Sequence, residues 1–181
     1  MLQCSNVIVD TKLKFLVQSS HVHPPGRLAL PKTFSVRMSK DAITWAQASD
    51  GCRKLGAELA TVTSRVENDK LHNLAKVIDE GRARCGNRVW IGLESSATSP
   101  VRTEGTWFWQ DGTQLTFQNW ARTQQDGGGP PPYCGGMYPW GNSNGAPGTW
   151  FQNKCTTQNI WCYACQRKKT GIRSICLPQQ D

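Results

Sequence analysis

Eight cysteines in a chain of 181 residues constrain this protein more than any other feature. They are Cys4, Cys52, Cys85, Cys134, Cys155, Cys162, Cys165 and Cys176. An even number points to disulfides, and so to an oxidising compartment with the chain secreted or extracellular. Eight cysteines permit about 105 pairings, and composition selects none of them. The chain is longer than the smallest disulfide scaffolds, so bridges here supplement a hydrophobic core. The opening Met-Leu-Gln-Cys-Ser-Asn lacks the basic and apolar regions of a leader, and a truncated start is expected. No apolar run approaches the roughly 20 residues of a membrane span.

Two chemical readings of the cysteines fail on context. Trp161-Cys162-Tyr163-Ala164-Cys165 has the W-C-x-x-C form of a thiol redox site. Such a site needs its first cysteine at a helix N-terminus, where the dipole lowers the thiol pKa. The residues that follow, Gln166 to Gly171, carry no amphipathic pattern, so two structural half-cystines are expected. Cys155, Cys162, Cys165 and Cys176 do not form the paired C-x-x-C knuckles of a zinc site. His21 and His23 lie in a Pro-flanked segment with no third ligand near in sequence.

The local pattern divides the chain into an extension or linker over 1–32, a domain over 33–168 and a basic tail over 169–181. Phe34-Ser35-Val36-Arg37-Met38 alternates as a half-buried strand does. Thr44-x-x-Gln47 is a capping box that opens a helix bearing Trp45, Ala48, Cys52 and Leu55 on one face, stopped by Gly56. Ser64-x-x-Glu67 opens a second helix with an apolar stripe of Leu71, Leu74, Ala75 and Ile78, ended by Gly81. The period then becomes strand-like. Val89 to Leu93 suits a buried central strand, and Asp111-Gly112 between Thr106–Gln110 and Thr113–Phe117 reads as a hairpin. Residues 121–149 are rich in Gly, Pro, Asn and Gln with no period, a long loop of the kind that carries function. A last strand runs from Ile160 to Gln166. This order gives an α+β fold with antiparallel pairing.

At these residues the chain resembles the C-type lectin-like domain family. The matching segments are Thr44-Trp45-Ala46-Gln47-Ala48 through Cys52, Leu55 to Val62, and Trp90-Ile91-Gly92-Leu93. Next come Trp107 to Gly112, Phe117-Gln118-Asn119-Trp120, Cys134, Trp150, Cys155 and Tyr163-Ala164-Cys165. They stand in the family's order over roughly 33–168. The resemblance implies two helices packed on short antiparallel sheets, a long ligand-side loop, and the disulfides Cys52–Cys165 and Cys134–Cys155. The family's termini lie close together, which suggests Cys4–Cys176 and leaves Cys85–Cys162.

Family members that bind sugar through calcium use a Glu-Pro-Asn or Gln-Pro-Asp triplet, a nearby acid, and a Trp-Asn-Asp triplet. Calcium takes six to eight hard oxygens, several of them anionic. The first triplet aligns here with Gln124-Gln125-Asp126, which lacks the central proline. The second aligns with Trp150-Phe151-Gln152, where Phe151 offers no oxygen and Gln152 a neutral one. The acid before the loop cysteine is replaced by Pro132 or Tyr133. No calcium at this site, and no other cofactor or metal, is therefore expected. Gln124, Asp126, Tyr138, Trp140, Asn142, Gln152 and Asn153 remain the candidate ligand-binding residues. Asn142 and Asn144 offer neutral oxygens, while Tyr138 and Trp140 either fold back onto the domain or present ring faces to a ligand.

The expected function is non-enzymatic recognition of a glycan or protein ligand. No nucleophile–base constellation is visible, and two of the three histidines lie in the extension. A second expectation follows from the net charge of +8 and the cluster Arg167, Lys168, Lys169 and Arg173. Such a cluster attracts sulfated glycans of a matrix, an anionic membrane surface or nucleic acid, and for an extracellular protein the last is the least expected. The chain has no Asn-x-Ser/Thr acceptor for N-glycosylation.

Overall fold

The structure is a computed structural model and describes residues 2–7, 32–80, 84–95, 107–122, 132–168 and 173–178. The chain divides into two compact units, one formed by residues 1–32 and 168–181 and the other by 33–167. In the first, β1 (Leu2–Val7) pairs antiparallel with β9 (Arg173–Pro178). The segments expected as extension and basic tail thus meet in a two-stranded sheet. Its register sets Cys4 opposite Cys176, while the bridge expected between them lies outside the described side chains.

The second unit begins with β2 (Lys32–Met38), whose Val36 is buried. Helix α1 (Trp45–Lys54) starts at the capping box foreseen from sequence. Thr44 Oγ1 accepts from Gln47 N at 3.2 Å, and Gln47 Oε1 accepts from Thr44 N at 2.8 Å. Gly56 leaves the helix at φ +63°, a conformation a side chain would strain. After the short β3 (Glu58–Leu59), Ser64 caps α2 (Arg65–Asp79) by accepting from Glu67 N. The Glu67 carboxylate also accepts from Thr63 N and Thr63 Oγ1, both at 2.8 Å. Leu71 and Ala75 of α2 are buried, but Leu74 is exposed and lies off the stripe assigned to it.

The remaining strands are β4 (Val89–Ser95), β5 (Trp107–Trp109), β6 (Tyr133–Met137), β7 (Trp150–Lys154) and β8 (Cys162–Lys168). The sheet order is β2-β8-β4-β6-β7, with β3 added to β8 and β5 to β4. Strand β4 is central, as its continuous apolar run requires. It pairs antiparallel with β5 and β6 but parallel with β8, which departs from the antiparallel pairing expected.

The Asp111-Gly112 turn does not make the expected hairpin. Trp109 pairs with Leu93 of β4, and no strand follows over 113–119. The Asp111 carboxylate is committed elsewhere: Oδ1 accepts from Thr113 N at 3.0 Å and Oδ2 from Gln166 Nε2 at 3.0 Å. Leu115 and Phe117 then pack on the core from irregular backbone.

Three disulfides tie the unit together. Cys52–Cys165 joins α1 to β8, Cys134–Cys155 closes the β6–β7 region, and Cys85–Cys162 joins the segment after α2 to β8. Both cysteines of the W-C-x-x-C motif are therefore half-cystines with different partners. Trp150 centres the larger apolar cluster, with Trp109, Phe117 and Trp120 edge-on to it at 5.5, 5.6 and 5.8 Å. Such pairs contribute about 0.5–1.5 kcal/mol each beyond their buried area. Trp150 Nε1 donates to Oδ1 of the buried Asn68 at 2.8 Å. Asn68→Ala orphans this indole N–H. It should cost about 1–3 kcal/mol in urea denaturation, the range for an unpaired buried donor.

Candidate functional site

Residues 138–149 connect β6 to β7 and form a loop closed at its base. Tyr138 N donates to Thr149 O at 2.9 Å, and Gly148 N donates to Tyr138 O at 2.8 Å. The tip is a turn in which Asn142 N donates to Gly145 O and Gly145 N to Asn142 O. Asn144 N donates to Asn142 Oδ1 at 2.9 Å, the local side-chain bond that makes asparagine a turn residue. Asn142, Ser143 and Asn144 are exposed there.

Helix α2 and the segment after it brace this loop. Asn68, His72 and Lys76 recur every four residues and so share one helix face. Asn68 Nδ2 donates to Gly148 O at 3.2 Å. His72 Nε2 lies 2.9 Å from Pro139 O, a bond that requires its proton on Nε2. Lys76 Nζ stands 4.6 Å over the Trp140 ring, within cation–π range. Asn87, at φ +61°, accepts from Trp140 N at 2.7 Å and donates to Gly141 O at 2.6 Å. None of these four residues stood out in the sequence. The four-residue spacing along α2 and the Gly86-Asn87 pair are the signals that carried them.

The candidate ligand-binding residues divide accordingly. Gln124 and Asp126 lie outside the described residues. Tyr138 is buried, its ring 4.7 Å from that of Phe151, so it folds back onto the domain and offers no open face. Burial pushes its phenol above the usual range, while the Arg88 charge and a hydrogen bond with Asn142 pull it back. Trp140 is half-buried beneath Lys76. Asn142 is exposed at the tip. Gln152 is half-buried, and its Oε1 meets no donor among the described residues. Asn153 Oδ1 accepts from Lys154 N and Thr157 Oγ1, both at 2.9 Å, and so is spent on the turn toward Cys155.

The described residues do not fit the calcium centre of the sugar-binding members. Phe151 is 1% exposed and packs between Trp90 and Tyr138. A core ring therefore stands at the residue that the family resemblance aligns with a ligand oxygen. No three His, Cys, Asp or Glu side chains gather as a metal-binding group among the described residues. Glu94, whose Cα partner in the sheet is Cys134, has its carboxyl pushed upward by burial, which favours the neutral acid.

Known proteins resemble this chain in sequence and in fold. The rat (Rattus norvegicus) asialoglycoprotein receptor 2 is 31% identical over 137 residues, covering 72% of this chain and 38% of the receptor. The galactose-specific lectin nattectin of Thalassophryne nattereri is 30% identical over 96 residues, covering 52% of this chain and 54% of the lectin. The type-2 ice-structuring protein of Hemitripterus americanus is 35% identical over 85 residues, covering 47% and 43%. The chain thus spans between 38% and 54% of the length of these relatives. Among solved structures, human lithostathine matches with a TM-score of 0.56 at 18% identity, covering 75% of this chain and 92% of its own. A calcium-independent type II antifreeze protein matches at 0.52 and 20% identity, covering 86% and 100%. At these identities the likeness is one of fold. The sequence model of the lectin C-type domain matches residues 41–167, most of the chain, and the chain belongs to the C-type lectin domain family.

Proposed function

We propose that this chain is a non-enzymatic extracellular recognition module that binds a carbohydrate or protein ligand on its β6–β7 loop, without calcium at the family's sugar-binding position. The observation that carries this reading is Phe151, a core ring where that position needs a ligand oxygen. Two relatives are named for asialoglycoprotein and galactose, which supports a glycan as the first class to test. The loop is suited to the task because its backbone is fixed by Asn87, His72 and Asn68, so little entropy is lost when a ligand seats. Trp140 supplies a partly exposed aromatic ring held under Lys76, and Asn142 and Asn144 supply amide groups at the tip.

The test is a glycan and matrix-protein binding panel, run with calcium and with chelator. Binding should be insensitive to chelator. Trp140→Ala should weaken it at least tenfold, as truncation of a hot-spot aromatic does, with a melting temperature within a few degrees of the parent. Binding that vanishes with chelator, or that survives Trp140→Ala unchanged, would show that recognition lies elsewhere.

A further inference from the structure

A cleft of about 130 Å³ opens at the β2 edge of the sheet, whereas the β6–β7 loop leads into β7 at the other edge. It is lined by Thr33, Ser35, Arg37, Leu55, Ala57 and Arg167. The lining follows from strand geometry. Residues 33, 35 and 37 alternate onto one face of β2, while Val36 turns the other way into the core. That face therefore presents two hydroxyls and a guanidinium in a row. Arg167 approaches from β8, and its Nη2 donates to the Leu55 carbonyl at the C-terminal end of α1. This bond holds one edge of the guanidinium and satisfies a carbonyl that would otherwise repel an anion.

We infer that this cleft is an oxyanion site that takes the sulfate ester groups of an acidic polysaccharide. Two guanidiniums supply positive charge and forked donors, and the Thr33 and Ser35 hydroxyls can donate beside them, a set matched to a tetrahedral oxyanion. Among the described residues no carboxylate forms an ion pair with either arginine; the ion pairs there are Arg53–Asp50 and Arg84–Glu80. Glu58, the acid next to Ala57, is opposite Gln166 in the ladder, one residue away from Arg167. The volume is well below the roughly 300–1,000 Å³ of a pocket for a whole small molecule. The cleft therefore suits one charged substituent on a longer chain. The disulfides place the protein in an oxidising compartment, where sulfate is the oxyanion that polysaccharide chains carry. The sequence continues from Arg167 into Lys168 and Lys169, and the chain carries a net +8, so a polyanion is drawn to it at long range.

The test uses the full chain and immobilised heparin as probe, with chemically desulfated heparin alongside. The double variant Arg37→Gln/Arg167→Gln should weaken heparin binding at least tenfold at about 0.15 M salt and flatten its salt dependence. Lys70→Gln/Lys154→Gln, which removes the same charge from exposed positions elsewhere, should weaken it less than threefold. Arg37→Lys/Arg167→Lys should recover only part of the loss, since the ammonium keeps the charge but not the fork. If losing the Leu55 contact unfolds the double variant, Arg37→Gln alone carries the test, with at least a threefold loss expected. The proposal is overturned if the two glutamine pairs lose affinity equally, if desulfated heparin binds as well as heparin, or if phosphatidylserine vesicles bind more tightly than heparin. None of these outcomes depends on the loop: Trp140→Ala should leave heparin binding unchanged.

Discussion

A thiol reductant should unfold this domain near body temperature, whereas a calcium chelator should leave its melting temperature unchanged. The bridges Cys52–Cys165, Cys85–Cys162 and Cys134–Cys155 span 113, 77 and 21 residues. In the chain-entropy account, a loop of a hundred residues contributes about 4.7 kcal/mol and one of fifteen about 3 kcal/mol. The contributions do not simply add, but any two approach the roughly 5–15 kcal/mol of a whole domain. Placement matters as much as loop length. Cys52 and Cys165 are buried in one apolar cluster, Cys85 and Cys162 in the other, so both bridges run through core. Thermal melting followed by near-ultraviolet circular dichroism, with reductant and with chelator, checks both halves. A chelator shift as large as the reductant shift would mean that a metal outside the described residues holds the fold.

The parts of this fold legible in the sequence were those that short-range chemistry decides. Thr44 and Ser64 announce their helices because a cap needs only a side chain three residues from the amide it accepts from. Val89 to Leu93 announces a central strand because a strand covered on both faces must be continuously apolar. The hairpin expected at Asp111-Gly112 fails because its competitor is distant in sequence. The turn residues were read correctly, but Trp107–Trp109 finds its partner in β4, and Gln166 takes the Asp111 carboxylate from 55 residues away. That the two ends of the chain approach each other was implied by the family resemblance, but not that they pair as the strands β1 and β9, since neither segment announces a strand by its local pattern.

At the candidate site the same distinction holds. The burial of Phe151 was not spelled out by the sequence, but its lack of a ligand oxygen was, because that depends on residue type alone. The orientation of Tyr138 was not, because it depends on which neighbour fills the space beside Phe151. Nor was the grip of Asn68, His72 and Lys76 on the loop. Polar residues on a helix read as a solvated face until a distant segment is known to lie over them.

Phe151→Asn, which writes the family's calcium-ligand residue back into the Trp150-Phe151-Gln152 triplet, should destabilise the domain and restore no calcium site. Phe151 is 1% exposed, with Trp90 at 5.9 Å and Tyr138 at 4.7 Å between ring centroids. Replacing a buried aromatic ring by a small side chain costs about 3–5 kcal/mol. The amide adds a buried polar group, at about 1–3 kcal/mol if unpaired. Gly136, opposite Phe151 in the β6–β7 ladder, makes the accommodation specific. A Cβ at Gly136 would run into the Phe151 ring and lie 2.7 Å from the Val89 carbonyl, so the glycine exists to seat that ring. Removing the ring leaves a void that neighbouring backbone cannot close. The expected result is a fall of about 10–20 °C in melting temperature, with no heat of calcium binding at millimolar concentration. Phe151→Leu, which keeps most of the apolar volume, should lose much less, about 1–2 kcal/mol. A Phe151→Asn variant that kept the parent's stability and bound calcium would show that Phe151 only fills a site the rest of the loop still preserves.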